Sequence, residues 1–230
     1  MTHYPFPDSR GTKIAFAAFF TAMLFLARDS MFTTAVIGFE KAQFLMLGVI
    51  CLLGVAFLIA NRRNLLQILK DRRMIVVVVS AAVCLLPMLV KRDWQLMYFS
   101  VLLCLLTGVF LSYFLTLRDA AKYYVVIMSV LGAYSVLAAY ILRIGVDSGA
   151  YAVPVFRNSM GFEFHNFFLS IVPDTYVKNR NFGIFREPGV YQFFLITALY
   201  LNNYEVEWKK TWQLWLVNGI LAATMVSTFA

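Results

Sequence analysis

The residues best equipped for chemistry lie in one short run, Lys178-Asn179-Arg180-Asn181-Phe182-Gly183-Ile184-Phe185-Arg186-Glu187-Pro188-Gly189-Val190-Tyr191-Gln192. Proline is favoured at the first position of a helix, where its missing N–H costs nothing. Glu187 is therefore a candidate N-cap, and Pro188 the first residue of a helix entering the apolar run Val190 to Leu201. The free N–H groups and the positive dipole end of that helix then face the loop that precedes it. Arg180 and Arg186 stand just upstream, and two guanidiniums beside a helix N-terminus suit a phosphate or pyrophosphate. Glu187 cuts both ways. As an N-cap it competes for the anion site, and as a carboxylate it can accept a proton from an incoming hydroxyl. The plainer alternative is that Arg180 and Arg186 touch lipid headgroups while Glu187 only caps the helix.

Two further residues are candidates for substrate contact. His165 lies in the aromatic stretch Gly161-Phe162-Glu163-Phe164-His165-Asn166-Phe167-Phe168. That stretch reads either as a short interfacial helix leading substrate to the site or as aromatics seating a loop among headgroups. Arg157 is a candidate second phosphate contact. Arg28-Asp29 reads as a local ion pair at the end of an apolar run, since charges at such depth are paired or functional. His3 carries no functional signal.

These residues need a scaffold, and the chain supplies long apolar runs. A bilayer core of about 30 Å takes about 20 apolar residues. Residues 42–60, 74–90, 95–117 and 123–144 fit. The run Ile14 to Ala27 is short, as is Val190 to Leu201, and a last run starts near Gln213. The expected fold is an all-α, polytopic transmembrane helix bundle of about seven spans. It forms a single membrane domain over residues 1–230, with a long extracytoplasmic loop, residues 145–189, between spans five and six. Basic residues in short loops orient such a chain. Arg62, Arg63, Lys70, Arg72 and Arg73 place their loop in the cytoplasm, together with Arg10 and Lys13, Arg118 and Lys122, and Lys209 and Lys210. The N-terminus is then cytoplasmic and the site loop outside. Trp208, Trp212 and Trp215 read as anchors at the inner interface. The last run is still apolar at Ala230, from which a fragment of a longer chain is expected. No cleavable signal peptide is expected, because Arg28-Asp29 follows the first run in place of a small-residue cleavage site.

Composition agrees with a membrane chain. Hydrophobic residues make up 61% and charged residues 14%, against about 45–50% and about 25% in a soluble domain. A soluble globule would expose the excess, and a disordered chain would be polar. The formal charge of +8 does not point to nucleic acid, since the basic residues cluster between apolar runs. Cys51, Cys84 and Cys104 all lie inside those runs and read as small apolar packing residues, not as a disulfide framework or metal site.

The pattern Arg180-x-x-Gly183-Ile184-Phe185-x-Glu187-Pro188-Gly189, after a long loop and before a membrane helix, resembles the motif of the O-antigen ligase/polymerase superfamily of bacterial O-antigen and capsule or exopolysaccharide polymerases. The resemblance covers about 15 residues, with looser support from the order of the spans. It implies glycosyl transfer at the outer face of the bacterial cytoplasmic membrane. The donor is then a glycan on a polyprenyl pyrophosphate, and the acceptor a sugar hydroxyl on a second lipid-linked unit. Arg180, with Arg186, would stabilise the pyrophosphate leaving group, and Glu187 would take the acceptor proton. No metal or other cofactor is expected, because pyrophosphate already leaves well. The implied partners are the lipid-linked glycan, membrane lipid and other polysaccharide-assembly membrane proteins.

Three other functions compete with a polymerase. A ligase of the same superfamily would pass the glycan to a different acceptor. A transporter or flippase for an anionic lipid or small anion would need charges deep in several spans or broken helices. Runs 42–60, 74–90 and 95–117 hold no charge and only Pro87, which weighs against transport. An inert remnant is the fourth.

Overall fold

The structure, a computed structural model, describes residues 72–91, 115–157, 161–174, 180–185 and 187–229, with scattered positions between 18 and 52 and between 105 and 112. The chain divides into two compact units, Met1–Ser9 with Gln43–Thr116, and Arg10–Ala42 with Leu117–Ala230.

In the first unit, α1 spans Arg72–Lys91. It buries Cys84 and Met88 and exposes most of its valines. In the second unit, α2 (Leu117–Leu137) runs through a π-helical turn, Ala138–Leu142, into α3 (Arg143–Asp147). Together they make one helix of 31 residues, Leu117–Asp147. Three strands follow, β1 (Val155–Arg157), β2 (Glu163–Asn166) and β3 (Ile171–Pro173). They form an antiparallel sheet in sequence order. Two helices close the unit, α4 (Pro188–Tyr204) and α5 (Thr211–Ser227).

The expected all-α bundle of about seven spans is overturned. Among the described residues one helix, Leu117–Asp147, is long and apolar enough to cross a membrane. Helices α4 and α5 have 17 residues each, which at 1.5 Å per residue reach only about 25 Å, short of a core of about 30 Å. They also carry Gln192, Asn202, Asn203, Gln213 and Asn218. The expected runs 14–27, 42–60 and 95–117 lie largely outside the described residues, as does Arg28-Asp29.

The stretch 145–189 corrects the fold class too, because it carries the sheet. The reason lies in its alternation. Phe162, Phe164 and Asn166 interleave with Glu163, His165 and Phe167, and a period of two gives a pleated strand two different faces. Phe164 pairs opposite Phe156 and stacks on it at 5.7 Å. With Ile171 and Phe182 these rings make one small apolar cluster. On the other face, Phe167 and Val172 pack on Ala138 and Ala139 of the π turn. The interfacial helix considered for 161–168 is therefore a strand running into a tight turn.

The main core lies between α2, α4 and α5. Val125, Met128 and Leu131 of α2 meet Leu195 and Ala198 of α4 and Leu221 of α5, with Leu24 completing the cluster. Gly132 lets α5 approach α2 closely. A Cβ on Gly132 would lie 2.7 Å from Thr224 Oγ1.

Candidate functional site

The loop from Arg180 to Glu187 is held by what it buries. Asn181 is 1% exposed. Its Nδ2 donates to Ser135 Oγ of α2 at 2.8 Å and to Ser227 Oγ of α5 at 2.9 Å. Its Oδ1 accepts the Gly183 N–H at 2.9 Å, and its own N–H donates to the Ser227 carbonyl at 3.0 Å. One carboxamide thus ties the loop to two helices.

The residues after it also turn inward. Phe182 meets Phe164 edge-on, with centroids 6.0 Å apart. Gly183 takes φ +55°, and a Cβ there would meet the Tyr191 ring at 2.6 Å. Glycine is the residue that adopts this conformation without cost. The Gly183 carbonyl accepts the Ile171 N–H at 2.6 Å, joining the loop to β3. Phe185 is fully buried, stacks on Phe194 at 4.4 Å and pairs through its backbone with Ser30.

Arg180 and Glu187 are exposed, on either side of the buried residues 181–185. Glu187 is the N-cap residue of α4 with extended backbone, and Pro188 follows in the first turn. The Glu187 carbonyl accepts the Tyr191 N–H at 3.2 Å. Its side chain makes no capping hydrogen bond. Arg186 lies outside the described residues. Among the described residues Arg180 has no ion-pair partner.

Arg157 and His165 are placed apart from that loop. Arg157 stands opposite Glu163 across β1 and β2. Its Nε donates to Glu163 Oε1 at 2.7 Å, and its Nη2 contacts the same oxygen. His165 sits two residues along the same face, its Nε2 3.3 Å from Asp174 Oδ1. The Arg143 Nη2 donates to the Asp174 carbonyl at 3.5 Å, and Arg143 Nε lies 3.3 Å from Asp147 Oδ2. Two of the five candidates therefore pair with carboxylates on the face of the sheet opposite Phe164 and Phe182.

Sequence reasoning missed the anchors. Asn181, Ser135, Ser227 and Tyr191 form one buried polar knot, in which Tyr191 Oη and Ser135 Oγ lie 3.0 Å apart. A usable signal existed. Ser135 interrupts an apolar run, and polar groups in such runs turn toward protein. An Asn two residues before a Gly is also a turn signature.

Comparison of the chain with protein-family models, with curated proteins and with solved structures gives no match.

Proposed function

We propose that this chain transfers a glycan from a polyprenyl pyrophosphate at the outer face of a bacterial cytoplasmic membrane, in the manner of an O-antigen or capsule polymerase. The reading rests on the motif from Arg180 to Gly189, and one structural observation supports it. Asn181 to Phe185 are buried and pinned, while Arg180 before them and Glu187 at the N-cap position of α4 are exposed. A loop whose only purpose was packing would not need a guanidinium and a carboxylate held at its two ends.

The chemistry needs two opposite services. Leaving pyrophosphate gains charge as the glycosidic C–O bond breaks, and the Arg180 guanidinium together with the first N–H groups of α4 stabilises it. The attacking sugar hydroxyl loses a proton, and Glu187 accepts it. Arg186 is the second cation of this reading. Arg157 and His165 hold the sheet through Glu163 and Asp174 and stand back from the transfer.

A bilayer setting is the second part of the proposal. Helix Leu117–Asp147 has the length and hydropathy to cross. Ile196 and Tyr200 of α4 and Trp215 and Val226 of α5 expose apolar surface. Acyl chains would cover it.

The test is reconstitution. The chain in proteoliposomes, supplied with undecaprenyl-pyrophosphate-linked oligosaccharide, should release undecaprenyl pyrophosphate and lengthen the glycan. Arg180→Ala and Glu187→Ala should abolish both while preserving incorporation into vesicles. Full-length product from either variant would remove that residue from the site. Release of pyrophosphate without lengthening would favour transfer to another acceptor.

A further inference from the structure

The long helix carries its own depth scale. From Tyr123 to Leu142 there are 20 residues with no charged side chain, bracketed by Lys122 and Arg143. At 1.5 Å per residue they rise about 30 Å, the thickness of a bilayer core. The Lys122 end is an interface by composition. Lys122 Nζ lies 5.8 Å from the centroid of Trp208, beside Lys209 and Lys210. The Arg143 end therefore marks the outer edge of the hydrocarbon.

The β2–β3 turn does not stay at that edge. Asp174, at the far end of β3, sits at Arg143, but the tip between the strands reaches back along the helix. Tyr134 Oη donates to the Phe167 carbonyl at 2.6 Å. Tyr134 is eight residues before Leu142, about 12 Å deeper along the axis. Its side chain leans toward the helix N-terminus, which is deeper still.

Irregular backbone survives at that depth only if its polar groups are satisfied internally. Three N–H groups of the tip meet this requirement, while Ser170 Oγ is buried without a partner. The Phe167 N–H donates to the Ser170 carbonyl and the Leu169 N–H to the Phe167 carbonyl, both at 2.9 Å. The Phe168 N–H donates to Asn166 Oδ1, also at 2.9 Å. Phe167 and Ser170 are buried, and Leu169 packs on the main core. Phe168 alone points out. It is 81% exposed and takes φ +73°, a conformation that costs an L-residue about 1–2 kcal/mol. Gly or Asn would hold this turn without that cost. A strained backbone that displays a phenyl ring makes sense where the ring meets hydrocarbon.

We infer that the β2–β3 hairpin is re-entrant, its tip lying below the outer edge of the hydrocarbon core with the Phe168 ring against lipid acyl chains. This rests on the proposal that helix Leu117–Asp147 crosses the bilayer. The loop carrying Arg180 is recessed with it, since Asn181 is bonded to Ser135 at almost the same depth.

The experiment is depth-dependent quenching of Phe168→Trp in phosphatidylcholine/phosphatidylglycerol vesicles with brominated acyl chains. The unsubstituted protein supplies the background of its own tryptophans. Quenching of the native set, which includes the exposed Trp212 and Trp215, reports whether the chain is in the bilayer. If the native set is quenched and the added indole loses most of its emission to acyl bromines while resisting aqueous iodide, the inference holds. If the native set is quenched but the added indole yields to iodide and not to bromine, the hairpin is external. The inference then falls while the bilayer reading stands. If the native set itself is untouched by bromine, the bilayer reading fails and the inference falls with it.

Discussion

Gly183 sets its bare Cα against the ring of Tyr191, where an added Cβ would come within 2.6 Å of Cε1. The ring cannot retreat easily. It is 1% exposed, packs on Phe185 at 5.4 Å and is held at its hydroxyl by Ser135. The motif glycine is thus explained by two demands at once, a left-handed backbone and an absent side chain.

Gly183→Ala should therefore be costly. The positive φ contributes about 1–2 kcal/mol, and overpacking adds about 1–3 kcal/mol. Thermal denaturation in detergent should register a loss of about 2–5 kcal/mol. Tyr191→Phe removes only the hydroxyl and should cost about 1 kcal/mol. A Gly183→Ala protein as stable as the parent would mean that the loop does not rest on Tyr191.

Asn181 should be the most sensitive polar residue in the loop. Asn181→Ala removes the donor shared by Ser135 and Ser227 and leaves the Gly183 N–H short of its acceptor. Each lost buried bond is worth about 1 kcal/mol, and the groups left behind add a desolvation penalty. The expected destabilisation is about 2–4 kcal/mol. Ser227→Ala, which removes one of the two acceptors, should cost about 1 kcal/mol. Equal losses from the two variants would show that the carboxamide does not bridge the helices.

The sequence displayed the helices and the start of α4, and the physical reason is length. Long apolar runs such as 74–90 and 123–144 speak through many residues, and Pro188 marks a helix start by its chemistry. The sheet was hidden because its strands have three or four residues, too few for alternation to stand out from an aromatic-rich loop. The number of spans was misjudged for a related reason. Hydropathy does not reveal that 190–201 and the run from Gln213 fold as helices of 17 residues laced with amides. At the site, Arg180 and Glu187 were legible as charges in a motif. The pairing of Arg157 with Glu163 was not, because it depends on strand register. Nor was the Asn181 bridge, which joins residues 46 positions apart in either direction.

Gly132 gives a prediction that concerns the helices alone. Its missing Cβ lets Thr224 of α5 approach, with 2.7 Å from the Cβ position to Oγ1 and 3.4 Å to the Thr224 Cβ. Gly132→Ala should cost about 1–3 kcal/mol through overpacking, even though alanine is the better helix former. Thr224→Ala should be mild, and the double variant should recover most of the loss. A stabilising Gly132→Ala would mean that helix propensity outweighs the contact.

Arg157 and Arg180 make an internal comparison of two exposed guanidiniums. Arg157 is already engaged by Glu163, and its side chain is 72% exposed. Exposed pairs of this kind contribute about 0–1 kcal/mol, so Arg157→Gln should shift stability by less than that. It should also leave glycan transfer intact, because the guanidinium faces a carboxylate and not a donor phosphate. Arg180→Gln should leave stability equally unchanged, since no described residue pairs with it, yet abolish transfer. Arg180→Lys separates charge from shape. If the guanidinium grips pyrophosphate with two parallel N–H bonds, the point charge of lysine will not replace it and activity will stay low. Undiminished transfer by Arg180→Lys would reduce the requirement to a positive charge. Loss of transfer in Arg157→Gln with parental stability would move the anion site from the α4 N-terminus to the sheet.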